Sequence, residues 1–213
     1  MKEIISILEK WSEFQTSHPK GDFEDFCRYY LAKSRSARIG RQKVKERLPI
    51  DLNGKVARAV SRTHLSLWLY MRIALKNTPF TSIEQFMFSA ALFALGESRK
   101  SDVINYAMME ISTGTDILNR LIEKGFVHER VDPDDKRSRL LTLTRAGRSV
   151  LMKCFKTSSK VRQILFGDLT DEDKQLLVYL LDPVHEKHAR LAVESKNKTI
   201  EAIHAGLFAG KKL

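Results

Sequence analysis

The segment from Ser101 to Arg148, SDVINYAMMEISTGTDILNRLIEKGFVHERVDPDDKRSRLLTLTRAGR, leaves the backbone few options. It predicts two short helices across a tight turn, then two strands that meet over a charged, proline-bearing tip. In the second helix Ile117, Leu118 and Leu121 recur at helical spacing and mark the inward side, and Gly125 is placed as a C′ glycine. Ser112, Thr113 and Thr115 stand at its start, where hydroxyls cap open amides and are free to touch phosphates or base edges. Phe126, Val127 and Val131 lead to a turn at Asp132-Pro133-Asp134-Asp135, and Leu141 and Leu143 alternate with Thr142 and Thr144 on the return strand. A helix pair followed by a basic hairpin is the ground plan of a winged helix-turn-helix, whose second helix enters a groove of DNA.

Charge is compatible with that reading. A formal net charge of +11 over 213 residues implies an anionic partner, nucleic acid or a membrane surface. Lys2, Glu3, Glu9 and Lys10 spoil a signal peptide, and no later apolar run approaches the roughly 20 residues of a bilayer span. Cys27 and Cys154 form neither a disulfide framework nor a zinc set, so the expected setting is a reducing cytoplasm, with no membrane partner. Enzymatic signatures are missing: the chain has no Walker-type or dinucleotide glycine loop and no GxSxG elbow. In His185-Glu186-Lys187-His188 the histidines are three apart where a zincin needs four, so no metal, cofactor or catalytic residue is expected.

The flanks are predicted to be helical. Ile4, Ile7, Leu8 and Trp11 form one stripe over Glu3 to Phe14, a face that needs a partner surface. After His18-Pro19-Lys20-Gly21, Asp22 can cap a second helix with Phe23, Phe26, Tyr30 and Leu31 on its stripe. Lys33, Arg35, Arg38, Arg41, Lys43, Lys45 and Arg47 face a single acid, Glu46, and read either as a solvated segment or as a grip on flanking phosphates. From Lys55 to Asn77 Val56, Val60, His64, Leu67 and Met71 hold one face, and near the end Leu65, Trp68, Leu69, Tyr70, Ile73 and Leu75 leave little polar surface, which calls for burial on several sides and suggests a subunit interface; His64 reads as a packed side chain. Thr81 and Glu84 suggest a capping box for a support helix over Ile83, Phe86, Met87, Ala90 and Leu95, ended by Gly96. Ser98 to Lys100 can supply a third wing strand. A long helix runs from Ala146 to Leu165; the next opens at Thr170, with acids in its first turn, and ends or kinks near Pro183.

The quoted residues resemble the multiple-antibiotic-resistance regulator (MarR) family, without a gap from Ser112 to Arg148. The resemblance rests on Ser112-Thr113-x-Thr115, Arg120-Leu121-x-x-Lys124-Gly125-Phe126-Val127, Asp132-Pro133-x-Asp135-x-Arg137 and Leu143-Thr144-x-x-Gly147-Arg148. It implies a mainly α chain with a small β-wing, a winged helix-turn-helix with N- and C-terminal dimerisation helices. In that frame residues 1–50 are a helical extension with a basic segment, 51–79 a dimerisation helix, 80–145 the DNA-binding domain and 146–213 the C-terminal dimerisation helices and tail. The early hydrophobic helix then pairs with the C-terminal helices across a dyad. The family usually has glycine near Met108, where this chain has none.

The expected partners are double-stranded DNA, a second copy of the chain and a small-molecule effector. A recognition helix in the major groove presents its N-terminal turn, so Ser112, Thr113, Thr115 and Asn119 are the candidates for base edges. Arg120 and Lys124 lie further along, to hold phosphates or brace the wing. Lys136, Arg137 and Arg139 surround the tip, where an extended cation fits the minor groove. By resemblance, Arg137 is the arginine that enters it and Asp135 the acid that orients it. Asp116 is a misfit: facing a duplex, its carboxylate is a cost unless it accepts from a cytosine amino group or pairs with Arg120. Some members of the family sense oxidants through a cysteine; Cys27 and Cys154 are both available, each reads first as an inert packing residue, and Cys27, with Lys33 and Arg35 nearby, is the redox candidate. The expected function is a sequence-specific, homodimeric transcriptional regulator, a repressor on pseudo-palindromic operators whose DNA affinity responds to a small ligand or to oxidation. The alternatives are a winged-helix protein-interaction module and a cysteine redox sensor on the same fold.

Overall fold

The computed structural model describes residues 2–38 and 50–209, and the chain divides into two compact units, Met1–Lys55 and Val56–Leu213. The first contains α1 (Lys2–Ser17) and α2 (Phe23–Arg38). Asp22 Oδ1 accepts from the Asp25 amide at 2.9 Å and Asp25 Oδ2 from the Asp22 amide at 3.3 Å, so two acids cap α2 reciprocally. Phe14 and Phe26 are buried, edge-on to one another at 5.6 Å, with Trp11 against both. The expected apolar stripe of α1 does not find cover within this unit: Ile4, Ile7 and Leu8 are all more than half exposed. Most of the basic run, residues 39–47, lies outside the described residues.

Chain order continues through α3 (Leu52–Leu75), α4 (Ile83–Leu95), β1 (Ser98–Arg99), α5 (Lys100–Tyr106) and α6 (Ile111–Glu123). It is completed by β2 (Val127–Val131), β3 (Arg139–Leu143), α7 (Arg145–Phe166), α8 (Asp171–Glu194) and α9 (Ile200–Phe208). The three strands form an antiparallel sheet in the order β1-β3-β2, with Leu141 of the central strand opposite Ser98 on one side and Glu129 on the other. Phe88, Leu92, Val103, Ile104, Leu118, Leu121, Leu141 and Leu151 are buried in one core shared by α4, α5, α6, β3 and α7. Each such side chain contributes about 1.5–3 kcal/mol by leaving water, enough to seat the short α5 and α6 on α4.

Several local expectations are corrected. The cap of α4 is Ser82, which accepts from the Gln85 amide, and Gln85 Oε1 takes the Thr81 amide at 3.0 Å, so Gln85 does the work assigned to Glu84. Gln85 is buried and Glu84 is not, which lets only the former reach back beneath the chain. Thr144 is not on the return strand: its hydroxyl caps α7 by accepting from the Gly147 amide and donates to the Gly125 carbonyl at 2.7 Å. Gly147 is required by that approach, since a Cβ there would lie 2.1 Å from the Phe126 carbonyl oxygen. Lys100 opens α5 and is not the end of β1. Of the two alternatives at Pro183, an end is excluded: helix α8 runs on to Glu194 with the proline inside it, and proline has no amide to give to the helix there. Within a single chain α3 is not enclosed as its apolar character requires: Met71 and Leu75 are buried, whereas Leu65, Leu69 and Ile73 are more than half exposed.

Candidate nucleic-acid interface

The turn between α5 and α6 is made without glycine. At the end of α5 the Met108 amide bonds to Asn105 O and the Met109 amide to Ile104 O, while Met108 itself holds φ 53°. This is the paired-bond helix ending usually given to glycine, with methionine in the left-handed position. Lys196, from the α8–α9 connection, donates to the Met109 carbonyl at 2.6 Å and steadies the same turn. Helix α6 then packs tightly on α5, because Gly114 puts bare backbone against Ile104, where a Cβ would come within 2.7 Å.

Ile117, Leu118 and Leu121 are buried as their spacing predicted. The α6 ending is also as expected: Gly125 takes φ 69°, its amide bonds to Ile122 O and that of Phe126 to Leu121 O. The helix start differs. Glu110 is the N-cap residue and makes no side-chain cap bond, and the Thr115 hydroxyl donates back to Ile111 O at 2.7 Å. Ser112, Thr113 and Thr115 therefore do not cap the helix, because it begins one residue before Ser112. Ser112 and Thr113 are exposed with Asp116, Asn119 and Arg120 on the outer face, and Thr115 is half-buried.

Asn119 is held: Lys100 donates to its Oδ1 at 3.3 Å and lies 2.7 Å from Glu129 Oε1, so one ammonium links α6 to wing strand β2. Lys124 is exposed and bonds to groups away from the wing. Its ammonium donates to Pro79 O at 2.9 Å and Gln85 Oε1 at 3.1 Å, and so ties the end of α6 to the start of α4.

The wing is braced by pairs that sequence spacing did not reveal. Arg99 on β1 donates to Asp132 Oδ2 at 2.9 Å, and Arg130 on β2 makes a two-pronged pair with Glu97 at 2.7 and 2.6 Å. Such pairs could have been sought only by registering β1 on β3, which a two-residue strand does not permit from sequence. At the tip Asp132 Oδ1 accepts the Asp134 amide, while Asp135 accepts the Arg137 amide at 3.1 Å and the Ser138 hydroxyl at 2.7 Å. Asp135 thus acts on Arg137 through its backbone amide, not its guanidinium. Lys136, Arg137 and Arg139 project into solvent around this hydrogen-bonded turn.

These bonds fix the charge state of the tip. The Asp134 amide first, and then Arg99, hold the Asp132 carboxyl below the usual carboxylate range; the Ser138 hydroxyl and Arg137 amide do the same for Asp135. Arg130 lowers Glu97 in turn. Of the two thiols Cys27 is half-buried, while Cys154 is buried, and burial pushes its thiol up. Among the described residues no group of side chains is arranged to hold a metal ion, and no helix is long and apolar enough to cross a membrane.

A helix, a tight turn, an exposed second helix and a three-stranded sheet with a basic hairpin tip define a winged helix-turn-helix protein. The same fold is found in MarR-family regulators. A mutant MarR from Escherichia coli, complexed with operator DNA, superposes with a TM-score of 0.57 at 22% identity, covering 63% of this chain and 98% of that one. BpsR of Bordetella bronchiseptica, whose DNA binding is regulated by 6-hydroxynicotinic acid, gives 0.56 at 23% identity, over 61% of this chain and 98% of that chain. An organohalide-sensing regulator in its 2,4-dichlorophenol-bound form gives 0.59 at 19% identity, over 70% and 91%. At these identities the likeness is one of fold. In sequence, the chain is 33% identical over 67 residues to the HTH-type transcriptional regulator Hpr of Geobacillus thermodenitrificans, and the match spans 32% of this chain and about a third of that relative's length, 34%. No protein-family model matches the chain.

Proposed function

We propose that the chain is a sequence-specific DNA-binding transcriptional regulator, acting as a homodimeric repressor on pseudo-palindromic operators. The observation that carries this reading is the joint exposure of the α6 outer face, with Ser112, Thr113, Asn119 and Arg120, and of the wing cations Lys136, Arg137 and Arg139. Lys100 ties the two parts together through Asn119 and Glu129, so helix and wing can enter adjacent grooves as one body. Thr115 is left a lesser role, because its hydroxyl is already used within the helix.

Dimerisation is supported by apolar surface that one chain leaves uncovered. Leu65, Leu69 and Ile73 of α3 and Leu177, Leu180 and Val184 of α8 are exposed. An apolar hollow of about 920 Å³ opens between α3, the end of α7 and the start of α8, lined by Val60, Leu165, Phe166, Leu177 and Leu181. A second copy laid on this surface would supply the burial α3 requires and set two reading heads on one face of a duplex. We assign control to a small ligand or to oxidation at Cys27, acting by a shift in the spacing of the two heads. The regulators with the same fold that respond to aromatic ligands motivate the first of these.

The test is binding to random and to selected duplexes as salt is raised. A regulator of this kind loses affinity for both steeply, with a selected site bound more tightly throughout. Binding indifferent to salt, or a monomer at all concentrations in sedimentation, would count against the proposal.

A further inference from the structure

We propose that Asp116 is a specificity-determining residue of the reading helix: its carboxylate accepts a hydrogen bond from the N4 amino group of a cytosine, giving each half-site a cytosine at one fixed position. This rests on the DNA-reading role proposed above and names a base that the role requires.

Helix α6 turns one side to solvent along its whole length. Ser112, Thr113, Asp116, Asn119, Arg120 and Glu123 are exposed, and Gly114, Ile117, Leu118 and Leu121 are buried. Asp116 stands at the middle of the exposed side, about one turn after Ser112 and one turn before Arg120. A duplex that meets this face therefore meets Asp116. Ionised, the carboxylate is an acceptor only and is repelled by phosphates, so its presence there is a cost unless a base edge offers a donor.

The chain does not absorb that charge itself. Among the described residues the Asp116 side chain makes no hydrogen bond or ion pair, and Arg120, the cation one turn on, pairs with no acid. The pairing that would have made Asp116 a structural residue is not formed. In the major groove the donors are the amino groups of cytosine N4 and adenine N6. Adenine sets its N7 acceptor beside N6, opposing a carboxylate, whereas cytosine sets an apolar ring edge beside N4. The geometry of the acceptor therefore favours cytosine. Asn119 does not compete for this base with its oxygen, which already accepts from Lys100.

The experiment is selection of bound fragments from random duplex DNA by the full-length wild type, Asp116→Asn and Asp116→Ala, with thermal melting to show that all three are folded. The wild type is expected to enrich a cytosine at one position of each half-site. Asparagine, which presents both a donor and an acceptor, should replace it with adenine, and alanine should lose the preference there while the other positions persist. Replacing that cytosine should weaken the wild type by about tenfold, within the range for a specific base contact, and leave Asp116→Ala unaffected. If all three proteins enrich one identical site and the variants merely bind every sequence more tightly, Asp116 is only a repulsive charge and this inference fails alone. If none of them enriches any sequence, the DNA-reading role fails and takes the inference with it.

Discussion

Arg99 and Asp132 are 33 residues apart, yet Nε and Nη2 of the guanidinium both reach Asp132 Oδ2, at 2.9 and 2.8 Å. The other carboxylate oxygen accepts the Asp134 amide at 3.0 Å, and the side chain keeps 5% of its surface in water. This pair fastens β1 to the start of the wing turn. Asp132→Asn, similar in size but uncharged, is expected to lower hydrogen-exchange protection of the Asp132, Asp134 and Ser138 amides and to spare α4 and α6. Loss of protection spread evenly over the chain would show that the pair does more than hold the tip.

Acid should loosen the same turn. Asp132, Asp135 and Glu97 all have folded pKa values below their unfolded ones, through the Asp134 amide, the Ser138 hydroxyl and Arg130 respectively. The unfolded chain then binds more protons in acid, so their stabilisation is fully present above the unfolded carboxyl values, about 3.9–4.3, and is lost as pH falls through the folded ones. Carboxyl resonances of the wing followed by NMR should titrate below that range, with no contribution from these groups to any change above about pH 5.5. Titration at or above the unfolded values would contradict the bonding described.

Arg137→Ala should weaken binding to a selected operator by about tenfold and reduce the salt slope by about 1. The melting temperature should not change, because the side chain is exposed and only its backbone amide is used by Asp135. Lys124→Ala gives the opposite pattern: roughly 0.5–1.5 kcal/mol of stability lost, with little effect on DNA, since its partners lie on α4 and the loop before it. An unchanged operator affinity for the first variant would remove the wing from the interface.

Met108 holds a left-handed backbone at φ 53° with 47% of its surface exposed. Glycine would relieve about 1–2 kcal/mol of strain and give back about 0.4–1 kcal/mol through a freer unfolded chain. Met108→Gly is thus expected to stabilise the protein by about 0.5–1 kcal/mol in urea unfolding. Destabilisation would mean that the Met108 side chain contributes packing beyond its exposed position.

The thiols should differ in reactivity. Burial at 1% exposure and a raised pKa make Cys154 inert in the folded protein, so maleimide should label Cys27 first and Cys154 only in denaturant. If oxidation at Cys27 regulates DNA binding, peroxide releases DNA from the wild type but not from Cys27→Ser. Equal release from both would rule Cys27 out as the switch.

What was legible beforehand followed local rules. The α6 stripe of Ile117, Leu118 and Leu121, the left-handed Gly125, the caps at Asp22 and Thr170, and the hairpin over Asp132-Pro133 each depend on residues within one or two turns of each other. The misreadings share another cause. Gln85 takes the role expected of Glu84 because it is the one that lies against the core, a matter of packing rather than residue type, and α6 begins one residue before Ser112, a shift that local pattern does not fix. The bonds of Lys124 to Pro79 and Gln85 were not legible because those partners are about forty residues away in the chain.

The order of helices and strands, the inward side of α6 and the cationic tip of the wing were readable along the chain, because periodicity, turn chemistry and charge act over short stretches. Which charges are spent inside the molecule and which are left for a partner depended on the packing of elements distant in sequence. Lys100, Arg99 and Lys124 are drawn into pairs across elements, while Asp116, Arg120 and Arg137 are left facing water. An ionic group's role depends on what folding brings within a few ångströms of it, and that distance is not written in its neighbours along the chain.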